Sequence, residues 1–186
     1  MNKNSLIQTL LVALFAALIS VGAYLKIMVI PPVPITLQTL FIVLVGLLLP
    51  LKLSLSSILV YLFIGAIGLP VFTSGGGLGA LLGPTGGYLF GAIPAVIVGS
   101  LLMKFNKKNN IWLLLLIALV ETILIYAVGL PWLGITRHLS VTKTLVGGLY
   151  PFLIGDTLKI IVAALVAKAV KGKVDLLLSK NTEEEN

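Results

Sequence analysis

The sequence predicts an all-α membrane protein of six transmembrane helices, on three observations. Its 186 residues are 59% hydrophobic and only 10% charged, with a mean hydropathy of +1.16, outside the range of an ordinary soluble domain. Apolar runs recur at about 6–27, 35–50, 53–68, 86–103, 111–130 and 147–168, each long enough, or nearly so, to cross roughly 30 Å of hydrocarbon. None shows the strict alternation of a lipid-facing strand, and each is too long for one. Backbone polar groups in lipid must be satisfied internally, so a helical bundle follows.

The first run reads as a retained helix rather than a cleaved signal, because no Ala-x-Ala site separates it from a polar domain. Its Ala13 and Ala17 make a small-xxx-small face, which suits either a docking partner or internal packing. The second and third runs are short, and Pro50 and Lys52 set a tight turn between them. The fifth run carries Glu121 near its middle, as a protonated hydrogen-bond donor to another helix or as a coupling site. Trp112 and Trp132 fall at its ends, where interfacial anchors are expected. A membrane domain over 1–174 is then followed by a polar tail over 175–186.

Orientation follows from the basic residues. A cytoplasmic N-terminus collects Lys3, Lys52, Lys104, Lys107, Lys108, Lys168, Lys171, Lys173 and Lys180 on the inner side, against Lys26, Arg137 and Lys143 outside. That bias places both termini in the cytoplasm. It also spreads the net charge of +7 over membrane flanks, not along the contiguous basic stripe of a nucleic-acid binder. With no Cys, one His and few acids, no zinc or iron site is expected, and no phosphate-loop motif is present.

The inner loops are brief and the outer ones elaborate, which puts ligand recognition on the outer face. Pro31, Pro32 and Pro34 stiffen the first outer loop, and Gln38 follows, able to donate and accept toward a urea or amide. The second outer loop, Gly68 to Gly87, is apolar yet dense in glycine. Backbone amides at Gly75, Gly76, Gly77 and Gly83, with the hydroxyls of Thr73, Ser74 and Thr85, suit a small polar head group. Phe72 and Tyr88 would wall it. Asp156 and Lys159 lie three apart in the sixth run, hence on one side of a helix. Such a pair is costly to desolvate as mere structure, so Asp156 reads as an acceptor for ligand N–H groups. Lys159 then offers its ammonium to a ligand oxygen or positions the carboxylate. Arg137, His138 and Lys143 make the outer rim cationic.

Four stretches resemble one family: Pro34-Ile-Thr-Leu-Gln38, Gly65-Ala-Ile-Gly-Leu-Pro-Val-Phe72, Gly83-Pro-Thr-Gly-Gly-Tyr88 and Pro151-Phe-Leu-Ile-Gly-Asp-Thr-Leu-Lys159. The chain is similar, over nearly all its length, to the biotin-specific substrate-binding (S) component of energy-coupling factor (ECF) transporters, the BioY family. The resemblance implies a six-helix S-component bundle in a prokaryotic plasma membrane, binding biotin near the outer face without a cofactor. It implies partners too, a transmembrane coupling (T) protein and two cytoplasmic ATPases, with Ala13 and Ala17 turned to the coupling protein. Asp156 would meet the ureido ring, Lys159 would share the ligand network, and Thr73–Gly77 and Gly83–Tyr88 would close on the ligand. Where relatives carry an amide side chain in that loop, this chain has three glycines, which shifts the ureido contacts to backbone amides, Thr73 and Ser74. Biotin also suits the residues themselves: a urea head, apolar ring and chain, and a carboxylate for a cationic rim.

Two other classes fit less well. An autonomous ion-coupled carrier lacks an inverted-repeat signature, and an intramembrane enzyme lacks a triad, dyad or metal set.

Overall fold

The structure, a computed structural model, describes residues 3–28 and 33–179, with side chains from Ser5 onward. Pro31 and Pro32 of the expected stiff cover, and residues 180–186 of the expected tail, lie outside the described residues. The elements run α1 (Lys3–Tyr24), β1 (Lys26–Ile27), β2 (Ile35–Thr36), α2 (Gln38–Leu48), α3 (Leu51–Ala66) and α4 (Leu78–Leu81). They continue as α5 (Gly86–Met103), α6 (Ile111–Thr136), α7 (Val141–Gly148), one 3-10 turn (Tyr150–Phe152) and α8 (Leu153–Ser179). The protein is an all-α membrane protein in which α1 from Ser5, α5 and α6 are long and apolar enough to cross a bilayer.

Prolines decide where the helices depart from the expected runs. The fifth run continues through Pro131 to Thr136, since a proline inside a membrane helix is tolerated when its surroundings satisfy the freed backbone. The sixth run breaks. Its first residues finish α7, Leu149 leaves helical geometry at φ −131° and ψ −60°, and Pro151 enters the 3-10 turn. A proline has no N–H to carry the ladder across that point. Helix α8 therefore starts at Leu153 and runs to Ser179, past the expected boundary at 174. The loops expected on the outer side hold structure of their own: α4, α7, and an antiparallel pair of Lys26 with Thr36 and Ile27 with Ile35.

Helix α2 is the axis of the bundle. Ile42, Val43, Leu44, Val45, Gly46, Leu47 and Leu48 are all buried, and α2 packs on α1, α3, α5, α6 and α8. A helix apolar all round belongs in the interior. With 11 residues it is about 16 Å long, about half the depth of the hydrocarbon. Pro50, in extended geometry, ends it and starts α3. Its other end, at Gln38, therefore stops deep inside the bundle.

Two kinds of polar group sit in this core. Ser54 donates to the Leu49 carbonyl at 2.9 Å and accepts from Ser100 at 2.8 Å, joining α3 to α5. Glu121 is fully buried, and neither carboxyl oxygen has a hydrogen-bond partner among the described residues. Room for it comes from Gly46 on α2 and Gly99 on α5, where an added Cβ would run into the carboxyl. Gly99→Ala should therefore cost about 1–3 kcal/mol, read as a lower Tm in detergent. In a Glu121→Ala background the same substitution should cost much less, because the group it strikes is gone. Equal losses in both backgrounds would contradict this packing.

Candidate ligand-binding site

A cavity opens beyond the N-terminal end of α2, in the depth that this short helix leaves unfilled. It holds about 600 Å³ of empty space, its open mouth included. Val33, Pro34, Ile42, Leu89, Ile125 and Phe152 give it an apolar lining. Polar groups converge on it from every side: Gln38 and Thr39 on α2, Thr73 and Thr85 from the second outer loop, Tyr88 on α5, Tyr126 on α6, Asp156 and Lys159 on α8.

Asp156 is the centre of this polar set. It stands in the first turn of α8, where the helix dipole favours an anion, and it is 6% exposed. Lys159 holds one carboxylate oxygen, Nζ to Oδ1, at 2.9 Å, and also donates to the Thr39 hydroxyl at 3.1 Å. The Tyr126 hydroxyl donates to Oδ2. Both carboxylate oxygens are thus oriented by the protein. Each still has a lone pair to accept from a ligand N–H. The Tyr88 ring meets Tyr126 edge-on, centroids 5.9 Å apart, and its hydroxyl is tied to the Gly148 carbonyl at 2.9 Å. The Gln38 side chain has no hydrogen-bond partner among the described residues, whereas its backbone N–H donates to Thr36 Oγ1 at 3.2 Å. The cavity therefore offers a fixed acceptor and an ammonium on one side, and a free amide with the positive end of α2 on the other.

The second outer loop reaches this cavity through few of its expected residues. Thr73, Thr85 and Tyr88 line it. Phe72 is buried elsewhere, its ring pressed on Gly65 and 5.4 Å edge-on from Tyr61. Ser74 lies exposed in the turn that Phe72 and Gly75 close by mutual backbone hydrogen bonds of 2.8 and 3.1 Å. The three glycines have backbone reasons to be glycine. Gly75 and Gly77 adopt φ of +109° and +87°, and an added Cβ on Gly76 would strike the carbonyls of Gly68 and Leu69. Gly83 lends its carbonyl to Trp132 Nε1 at 2.9 Å, so this tryptophan fastens the loop to α6. Lys26 fastens its other side, donating to the Thr73 carbonyl at 2.6 Å. Ala13 and Ala17 are remote from the cavity, exposed on α1.

Sequence reasoning missed Thr39 and Tyr126, the partners of the charged pair. A tyrosine hydroxyl in an apolar span must find a partner, and that was the available signal.

The profile of the BioY family matches residues 1–175. The chain belongs to the BioY family. It is 38% identical over 163 residues to the probable biotin transporter BioY of Pyrococcus horikoshii, covering 87% of this chain and 94% of that one. It is 39% identical over 165 residues to the biotin transporter BioY of Thermotoga maritima, covering 88% and 95%. Among solved structures, the S-component for biotin from an ECF-type ABC transporter superposes with a TM-score of 0.83. That pair shares 29% identity over 92% of this chain and 94% of the other.

If the loop glycines serve the backbone, Gly76→Ala should lower stability by about 1–3 kcal/mol, seen as a lower Tm. Gly79→Ala, where an added Cβ meets nothing within 4 Å, should be neutral. A Gly76→Ala protein as stable as the parent would contradict the packing described.

Proposed function

We propose that this BioY protein captures biotin at the cavity beyond α2 and passes it into an ATP-driven uptake system. The chain is a transport subunit of a prokaryotic cell membrane, not an enzyme, and its function is high-affinity biotin binding as an S-component. The observation that supports this site is the buried Asp156 carboxylate, held on both oxygens at the wall of a mostly apolar cavity. Biotin's ureido N–H groups are donors for Asp156, its ureido oxygen can accept from Gln38 or Lys159, and its ring and valeryl chain fit the apolar lining.

Six crossings, α1, α2, α3, α5, α6 and α8, put both termini in the cytoplasm and the cavity mouth on the outer side. The positive-inside bias of the loops supports this orientation. Residues 1–174 form the membrane unit, and 175–186 form the cytoplasmic end that begins on the last turn of α8. A transmembrane coupling protein and two ATPases supply the energy. Ala13 and Ala17, exposed beside Leu10 and Leu14 on α1, offer a surface on which a coupling helix can pack closely.

Calorimetry on the purified protein should show biotin binding without added metal or nucleotide. Asp156→Asn should weaken it by about 10- to 150-fold, the worth of roughly 1.5–3 kcal/mol for hydrogen bonds to a charged group. Tyr126→Phe should cost about 2- to 10-fold, and Ser179→Ala nothing. Tight binding of another vitamin with none of biotin would reassign the substrate. Ala13→Trp with Ala17→Trp should abolish uptake in cells carrying the ATPase module while leaving the isolated subunit's isotherm unchanged. Uptake by this chain alone in liposomes, driven by an ion gradient, would refute the subunit role.

A further inference from the structure

A ligand that places its polar head on Asp156 and ends in an anion needs a second cation. Lys159 is the cation in the described lining of the cavity, and it is engaged with Asp156 and Thr39. Arg137, His138 and Lys143, expected at a cationic rim, are not among the lining residues.

Lys26 is placed differently. In the ribbon of β1 and β2 it stands directly across from Thr36, and residues directly opposite in an antiparallel pair present their side chains on the same face. Thr36 lines the cavity, so the Lys26 side chain leaves the ribbon on the cavity's side. It ends on the loop that follows α3, where Nζ donates to the Thr73 carbonyl at 2.6 Å. Thr73 is again a lining residue. Lys26, itself exposed, thus stands at the edge of the cavity between two of its walls.

Its ammonium is otherwise free. One of three N–H donors is used on Thr73, and two remain. Lys26 has no ion-pair partner among the described residues, and no Asp or Glu precedes Glu121 in the chain. The Thr36 hydroxyl, which accepts from the Gln38 N–H, keeps its own O–H to donate.

We propose that Lys26 recognises the free carboxylate of the ligand and so selects the acid over neutral analogues. The assignment rests on the reading of the cavity as a biotin site. With the ureido ring on Asp156, the valeryl chain carries its carboxylate away from the bicyclic ring and out to the mouth. There the two open donors of Lys26 meet it, and the Thr36 hydroxyl can share it. Because Lys26 is exposed, the pair forms without the desolvation that two wholly buried charges would incur.

Calorimetry on the full chain in detergent, with biotin and with its neutral isostere biotinamide, tests this. The wild-type protein should bind the acid about tenfold more tightly than the amide. Lys26→Gln should lose that preference, and Lys26→Arg, which keeps the charge, should retain most of it. Loosening of the loop through loss of the Thr73 contact weakens both ligands alike, so the ratio isolates the carboxylate. Arg137→Gln with Lys143→Gln, neither of which lines the cavity, should leave the preference unchanged. A preference kept by Lys26→Gln, or lost in the Arg137 and Lys143 variant, would overturn the assignment. So would equal binding of acid and amide by the wild type, a result that leaves the biotin site standing. No biotin binding at all would refute that site, and the role of Lys26 with it.

Discussion

A carboxylate buried in a membrane bundle is tolerable only if its charge is met in place, and Asp156 shows how this chain meets it. Lys159, three residues on, supplies a cation that never has to be recruited from another helix. Tyr126 supplies a neutral donor from α6, and the first turn of α8 supplies a favourable dipole. Removing any one of these leaves an under-compensated ion in a low-dielectric site, where that is costly. The arrangement also ties three helices together, because Lys159 reaches Thr39 on α2 as well. The polar centre of the site is therefore also a joint of the fold.

The rest of the site follows from where α2 stops. Were α2 long enough to cross the bilayer by itself, its next turns would occupy the cavity. Ending it at Gln38 leaves that depth to Pro34 and Thr36, to the loop from Thr73 to Thr85, and to whatever binds. The loop is held from two sides, by Lys26 and by Trp132. Its glycines let the backbone fold tightly on itself, so that threonine side chains, not an array of bare amides, face the space.

Much of the bundle was legible in the sequence because hydropathy reports directly on segments that must leave water. The break after Gly148 was hidden because Leu149–Leu153 is as apolar as its flanks, with Pro151 as the lone mark. Pro131 misled in the opposite direction, since a proline that would end a soluble helix can be carried in lipid. The charged pair was legible because its two members share one helix. Tyr126 and Thr39 were not, since their link to α8 spans 30 and 120 residues of chain, and periodicity does not say which face meets which. Phe72 looked like a ligand wall by its position beside the glycines, yet the smoothness of Gly65 draws its ring into the core.

A crystal structure of the chain grown with biotin bears most directly on the central claim. The account predicts ring density between α2 and α8, with a ureido nitrogen within hydrogen-bond reach of Asp156 and the Lys159 contact retained. Biotin density elsewhere, with Asp156 and Lys159 paired as before and the cavity holding only water, would contradict it.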